Sequence, residues 1–125
     1  MREIALDTQA ATVVAIIDNG RVIGRAHNDS GRHHAESITP LVREALGDAG
    51  LPSTLADAGI DRVLVGTGPA PFTGLRSGLV SARVLARVAS VPAYGVSALD
   101  VIARQGLDLL APDTRVYAIA DARRR

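Results

Sequence analysis

A chain of 125 residues with 47% hydrophobic and 22% charged side chains has the composition of one globular domain, or of one lobe of a larger protein. A net charge of +1 gives no electrostatic case for nucleic acid, and zero Cys excludes disulfides, zinc knuckles and thiol catalysis. All 14 basic residues are Arg, which excludes Lys nucleophiles and Schiff bases, and Phe72, Tyr94 and Tyr117 are too few aromatics for a base-stacking platform.

Ile4 to Thr8 reads as a first strand, and the residues before it carry no signal-peptide pattern. Thr12 to Asp18 is a nearly continuous apolar run, as expected of a strand covered on both faces. Asn19-Gly20 is a hairpin signal, since both residues tolerate positive φ, and Arg21 to Asn28 returns as a third strand. Asp29-Ser30-Gly31 is a turn. A helix follows from about His33 to Asp48, with Ala35, Ile38, Leu41, Val42, Ala45 and Leu46 on one apolar stripe. Pro40 lacks a donor and is expected to loosen it.

Pro52 begins a short helical turn closed by Gly59, and Asp61 to Gly66 is a fourth strand. Thr73 to Ala89 is the second long helix and Pro92 to Val96 a fifth strand. Ser97 caps a third helix that stops at Gly106, and Arg115 to Asp121 looks like a sixth strand. The order βββαβαβα, with right-handed crossovers, places the first two long helices on one sheet face and the third opposite. This is a mixed α/β sheet of ribonuclease-H-like type. Arg or Asp interrupts every apolar run, so none reaches membrane-spanning length.

On the second long helix Arg76, Arg83 and Arg87 fall within about 40° of one another, and nearly everything else is apolar or small. Gly74, Gly78, Ala82 and Ala86 recur every fourth residue and read as a groove for a close helix. One flank then packs on the sheet while the other, with the first long helix, meets a second protein. A central helix covered by its own domain is the competing reading.

The candidate chemical sites are weak. Gly66-Thr67-Gly68 suggests a phosphate loop, but no Lys follows, and Pro69 and Pro71 remove amides that would face an anion. Asp7-Thr8 sits where actin-like ATPases hold magnesium and phosphate, yet Gln9-Ala10-Ala11 follows it, so a hydrogen-bonded turn is expected. His33 and His34 are neighbours about 100° apart on a helix and do not share a metal face. No catalytic, cofactor or metal residue is assigned.

Across its length the chain resembles the TsaB (YeaZ) family, the non-catalytic subunit of bacterial tRNA threonylcarbamoyladenosine synthesis. The matching segments are Ile4-Ala5-Leu6-Asp7-Thr8, Gly31-Arg32-His33-His34-Ala35-Glu36 with Pro40, and Gly68-Pro69 through Phe72-Thr73-Gly74-Leu75-Arg76 to Gly78. Pro92-Ala93-Tyr94-Gly95-Val96-Ser97-Ala98-Leu99 and Asp121-Ala122-Arg123-Arg124 complete the set. Ala70 and Pro71 depart from the Gly and Ser commoner there, which stiffens the loop.

The resemblance implies an actin-like ATPase (ASKHA) lobe without ATP-binding competence and without a cofactor. It implies pairing with a TsaD-like threonylcarbamoyltransferase that modifies adenosine 37 of tRNAs reading A-starting codons, a TsaE-like small ATPase in the complex, and a homodimer when alone. No direct nucleic-acid or membrane contact is implied, and the location is cytoplasmic. Carried over, the interface residues are Ile38, Leu41, Val42, Ala45, Leu75, Gly78, Leu79 and Ala82, and Gly78→Arg is expected to abolish pairing in a folded chain. Residues 1–112 are then the N-terminal lobe and 113–125 the start of a truncated second lobe. The alternatives are an active ATPase or kinase lobe, motivated by Asp7-Thr8, and a peptidase, which no residue pattern supports.

Overall fold

The computed structural model describes residues 1–30 and 34–120, without the side chains of 34–36. Strands β1 (Arg2–Asp7), β2 (Thr12–Asp18) and β3 (Arg21–Asn28) precede helix α1 (His34–Asp48). Strand β4 (Arg62–Gly66), helix α2 (Phe72–Ala89), strand β5 (Ala93–Val96) and helix α3 (Ala98–Leu109) follow. The five strands form one sheet in the order β3-β2-β1-β4-β5. The first three are antiparallel, while β4 pairs parallel with both β1 and β5. The Asn19-Gly20 turn has φ of 49° and 81°, the paired left-handed residues that bring β3 back against β2.

Period-two alternation sends Ile4, Leu6, Val14, Ile16, Val63 and Val65 to one face, where they meet Ile38, Leu41, Val42, Ala45 and Leu46 of α1. Helix α1 crosses β2 and β3, α2 crosses β4 and β1, and the two helices touch. The close approach of α1 requires Gly24, because a Cβ there would overlap the Ala45 carbonyl. On the opposite face of the sheet Glu3 is buried and paired with Arg62, whose guanidinium lies 5.8 Å from the Tyr94 ring centre. Helix α3 lies over the opposite face, its Ala98, Val101 and Ile102 bordering the same trough as Ala5, Val13, Ala15 and Leu64.

Three local expectations change, while the Pro52 turn forms as expected. Helix α1 runs unbroken through Pro40, which lies on the exposed side, where a carbonyl left without its donor can take water. The Pro52 segment is a single turn closed by the Ala58 N–H to Thr54 O bond, with Gly59 at φ 66°. Helix α3 passes through Gly106 to Leu109. Gly106 marks a close contact and not a stop, since a Cβ there would lie 3.1 Å from Val116 Cγ1. Residues 115–120 form no strand. Their route to the free β5 edge would need a crossover over the α3 face, of opposite hand to the one through α2. Gly31, Arg32, His33 and residues 121–125 lie outside the described residues, as do the side chains of His34, Ala35 and Glu36.

Candidate partner-binding surface

The loop after β1 and the loop after β4 converge where an actin-like fold would hold phosphate. The Asp7 carboxylate is occupied within its own turn: Oδ1 accepts from the Gln9 N–H at 2.8 Å and Oδ2 from Gln9 Nε2 at 3.1 Å. Gly66 lies directly beneath it, where a Cβ would sit 2.8 Å from Asp7 Oδ2. Thr8 is buried and donates its hydroxyl to the Gly74 carbonyl at 2.6 Å, locking the end of β1 to the first turn of α2. Pro71 precedes that helix and supplies no side-chain cap. The carboxylate orders a turn and the Thr hydroxyl fixes a helix, so the hydrogen-bonded turn read from Gln9-Ala10-Ala11 is what forms here. Among the described residues no group of three or more His, Asp or Glu is placed to hold a metal.

Helix α2 resolves into two faces. Gly74, Gly78, Ala82 and Ala86 are buried, and they are turned toward the chain's own sheet. The small-residue groove therefore receives β1 and β4, not a foreign helix; a Cβ on Gly78 would overlap the Thr8 hydroxyl. The sheet floor under α2 is dense with Ile4, Leu6, Val63 and Val65, and only small residues let the helix axis come close enough to exclude water.

Six of the eight residues carried over as interface contacts thus lie inside this chain. Ile38, Leu41, Val42, Ala45, Gly78 and Ala82 are all buried and present no side chain at the surface. Leu75 and Leu79 are half-buried on the shoulder of α2. What the helix presents to water is a ridge of Val80, Val84 and Val88, exposed by 54%, 55% and 68%, beside the exposed Arg76, Arg83 and Arg87. Phe72, at the helix start, is exposed as well. The signal for this ridge was present in the sequence. Three valines at i, i+4 and i+8 stand opposite the Gly/Ala stripe on the wheel, and only one of those two faces can take the sheet.

A second apolar feature lies on the other side of the sheet. Helix α3 stands off the strands and leaves a trough of about 410 Å³, floored by Ala5, Ala15 and Leu64 and walled by Val101 and Ile102. None of the residues of α3 is buried.

A sheet of order 3-2-1-4-5, with two helices on one face and one on the other, defines a lobe of the actin-like ATPase class. Comparison with known proteins narrows that class. A family model described as "TsaD: tRNA N6-adenosine threonylcarbamoyltransferase" matches residues 24–125. A Mycobacterium tuberculosis protein of uncharacterised function is 43% identical over 125 residues, covering 98% of this chain and 54% of that protein. The Escherichia coli protein named tRNA threonylcarbamoyladenosine biosynthesis protein TsaB is 39% identical, over 98% of this chain and 51% of its own length. The solved structure of YeaZ from Pseudomonas aeruginosa superposes with a TM-score of 0.73 at 31% identity, covering 86% of this chain and 49% of that one. The chain belongs to the threonylcarbamoyltransferase family and, within it, corresponds to the N-terminal lobe of the TsaB (YeaZ) proteins. It spans about half the length of the relatives it matches.

Proposed function

We propose that this chain acts in threonylcarbamoyladenosine synthesis on tRNA as a partner-binding lobe without chemistry of its own. It pairs with the catalytic threonylcarbamoyltransferase, a protein of related fold, in the cytoplasm. A small ATPase joins the pair, and in the absence of the transferase the lobe pairs with itself. Residues 1–112 form the pairing lobe and the chain from 113 leads toward a second one.

The observation that carries this reading is the Val80-Val84-Val88 ridge. Each valine, about half exposed, stands to gain on the order of 1 kcal/mol on burial, and three aligned at one-turn spacing present the ridge another helix would pack against. Leu75 and Leu79 lie on the other shoulder of α2, across the Arg row from the valines. Ile38, Leu41, Val42, Ala45, Gly78 and Ala82 act on the ridge only from beneath, by fixing how α1 and α2 sit on the sheet. The Arg row beside the ridge selects a partner with carboxylates at the rim. The self-satisfied Asp7 turn supports the non-catalytic part of the reading, since its carboxylate is committed to Gln9.

Co-purification with a tagged transferase subunit tests the proposal. The chain is expected to be retained, and Val84→Glu, which places a charge in the middle of the ridge, is expected to weaken retention at least tenfold while the circular dichroism stays unchanged. Equal retention of the folded variant contradicts the assignment of the surface.

A further inference from the structure

Of the three helices, α2 alone has ionised side chains of a single sign. Its 18 residues hold Arg76, Arg83 and Arg87 and no Asp or Glu. All three are exposed, and among the described residues none of them has an ion pair or a hydrogen bond. On α3, by contrast, Arg104 is paired with Asp108 one turn on. At a rise of 1.5 Å per residue the guanidiniums of α2 follow one another at about 10 Å and about 6 Å along the axis, in one row.

The surroundings do not compensate this charge. The Val80-Val84-Val88 ridge borders the row on one side, and Leu75 and Leu79 border it on the other. Helix α1 adds Arg43 and Glu44, both exposed and of opposite sign. Its Asp48 carboxylate is held on the β3 side, where it accepts from the Arg25 N–H at 3.0 Å. A protein that packs on the ridge therefore meets an uncompensated cationic border.

A second copy of this chain and a different protein meet that border differently. When a two-fold axis lays α2 antiparallel on α2, both Arg rows fall on the same side of the seam and six guanidiniums share it. With the helices parallel the rows lie on opposite sides, and each still faces a helix without a carboxylate. Like charges brought together oppose association, whereas carboxylates presented by another protein favour it. We propose that the Arg76-Arg83-Arg87 row is a partner filter: it fits a protein surface bearing carboxylates at the row's seven- and four-residue spacing, and it works against a second copy of the chain. This filter rests on the pairing through the α2 ridge proposed above and adds to it a choice of partner set by ionic strength. The screening length falls from about 30 Å at 0.01 M salt to about 3 Å at 1 M, so salt weakens both effects. The self-pair then tightens and the pair with the transferase loosens.

Analytical ultracentrifugation of the 125-residue chain, alone and with the transferase subunit, tests this at about 0.02 M and about 0.5 M sodium chloride. Self-association is expected to tighten about threefold at the higher salt, and the mixed pair to loosen by a similar factor. Arg83→Glu, checked for folding by circular dichroism, should split the two pairs at low salt: self-association tightens about threefold while the mixed pair weakens about tenfold. Arg83→Gln, which only removes charge, should shift each pair in the same sense as Arg83→Glu and by less. Salt trends of one sign for both pairs overturn the filter, as does an Arg83→Glu chain whose self-association is weakened or unchanged. A parent chain that is monomeric at both salts and stays monomeric as Arg83→Glu overturns it too. Val84→Glu separates this failure from failure of the ridge. If Val84→Glu weakens pairing while Arg83→Glu does not split the two pairs, the ridge stands and the filter fails. If Val84→Glu leaves both pairs untouched, the ridge is the wrong surface and the filter falls with it.

Discussion

Thr8 and Gly78 are in contact through the one place where a side chain on either would collide: the Thr8 hydroxyl fills the volume that a Cβ on Gly78 would take. That hydroxyl is also bonded to the Gly74 carbonyl, so β1 and α2 are joined over two successive small residues of the helix. Gly78→Ala is expected to destabilise the chain by about 1–3 kcal/mol through overpacking. In a Thr8→Ala background the penalty of Gly78→Ala should fall by more than half, because the colliding atoms are gone and Cβ of residue 8 is at an ordinary 3.4 Å. Urea titration of the four chains measures this coupling. The same contact changes the expected effect of Gly78→Arg: it destroys the fold, and says nothing about pairing.

A harsher version of this contact occurs between β3 and α1. A Cβ on Gly24 meets the backbone carbonyl of Ala45, and also Ala49 Cβ at 2.7 Å. A helix backbone cannot swing aside as a side chain can. Gly24→Ala is therefore expected to cost about 3 kcal/mol or more, at or above the top of the overpacking range, and more than Gly78→Ala. Thermal unfolding followed by circular dichroism ranks the two variants, and a Gly24→Ala chain as stable as the parent would contradict the packing described for α1.

The Asp7 carboxylate gives a prediction about nucleotides. Because both of its oxygens accept from Gln9, Asp7→Ala removes a turn and is expected to lower stability by about 1 kcal/mol. Calorimetry with magnesium and ATP should detect no micromolar binding to the parent chain. Micromolar binding that vanishes in Asp7→Ala would instead favour the ATPase reading of this lobe.

Much of the fold was legible because local chemistry and global topology agree. The Asn19-Gly20 pair, the apolar runs of β1, β2 and β4, the Ser97 cap and the α1 stripe each have one physical reading, and the structure has them in place, with β1 and β4 displaced by a residue or two. The Ser97 hydroxyl does accept from the Leu99 N–H, at 3.2 Å. The surface was less legible. A helical wheel separates a Gly/Ala stripe from a valine ridge without saying which of them meets the sheet, and packing density decides for the stripe. Gly106 likewise reads as a stop until Val116 folds back over it. The absence of a strand at 115–120 follows from crossover handedness, which was already implicit in the expected placement of the third helix opposite the second.

The charges flanking the ridge give a kinetic signature. Arg76, Arg83 and Arg87 are exposed and lie beside the valines, at the rim of the proposed contact and outside its core. Reversing Arg83 to Glu is expected to slow association with the transferase by about tenfold at low salt, with a smaller effect on dissociation. Surface plasmon resonance at two ionic strengths checks this, and a loss that does not shrink as salt is raised would place Arg83 in the dry centre of the interface.

The surface assignment is tested most directly by methyl resonances in a titration of the isotope-labelled chain with the transferase subunit. The methyls of Val80, Val84 and Val88 are expected to shift together on binding, while those of Val14 and Val63, buried under the helices, hold their positions. If the three ridge valines stay unmoved and Val13 and Val101, at the trough on the other face, shift in their place, the partner sits on the wrong side of the sheet for this account and the α2 assignment fails.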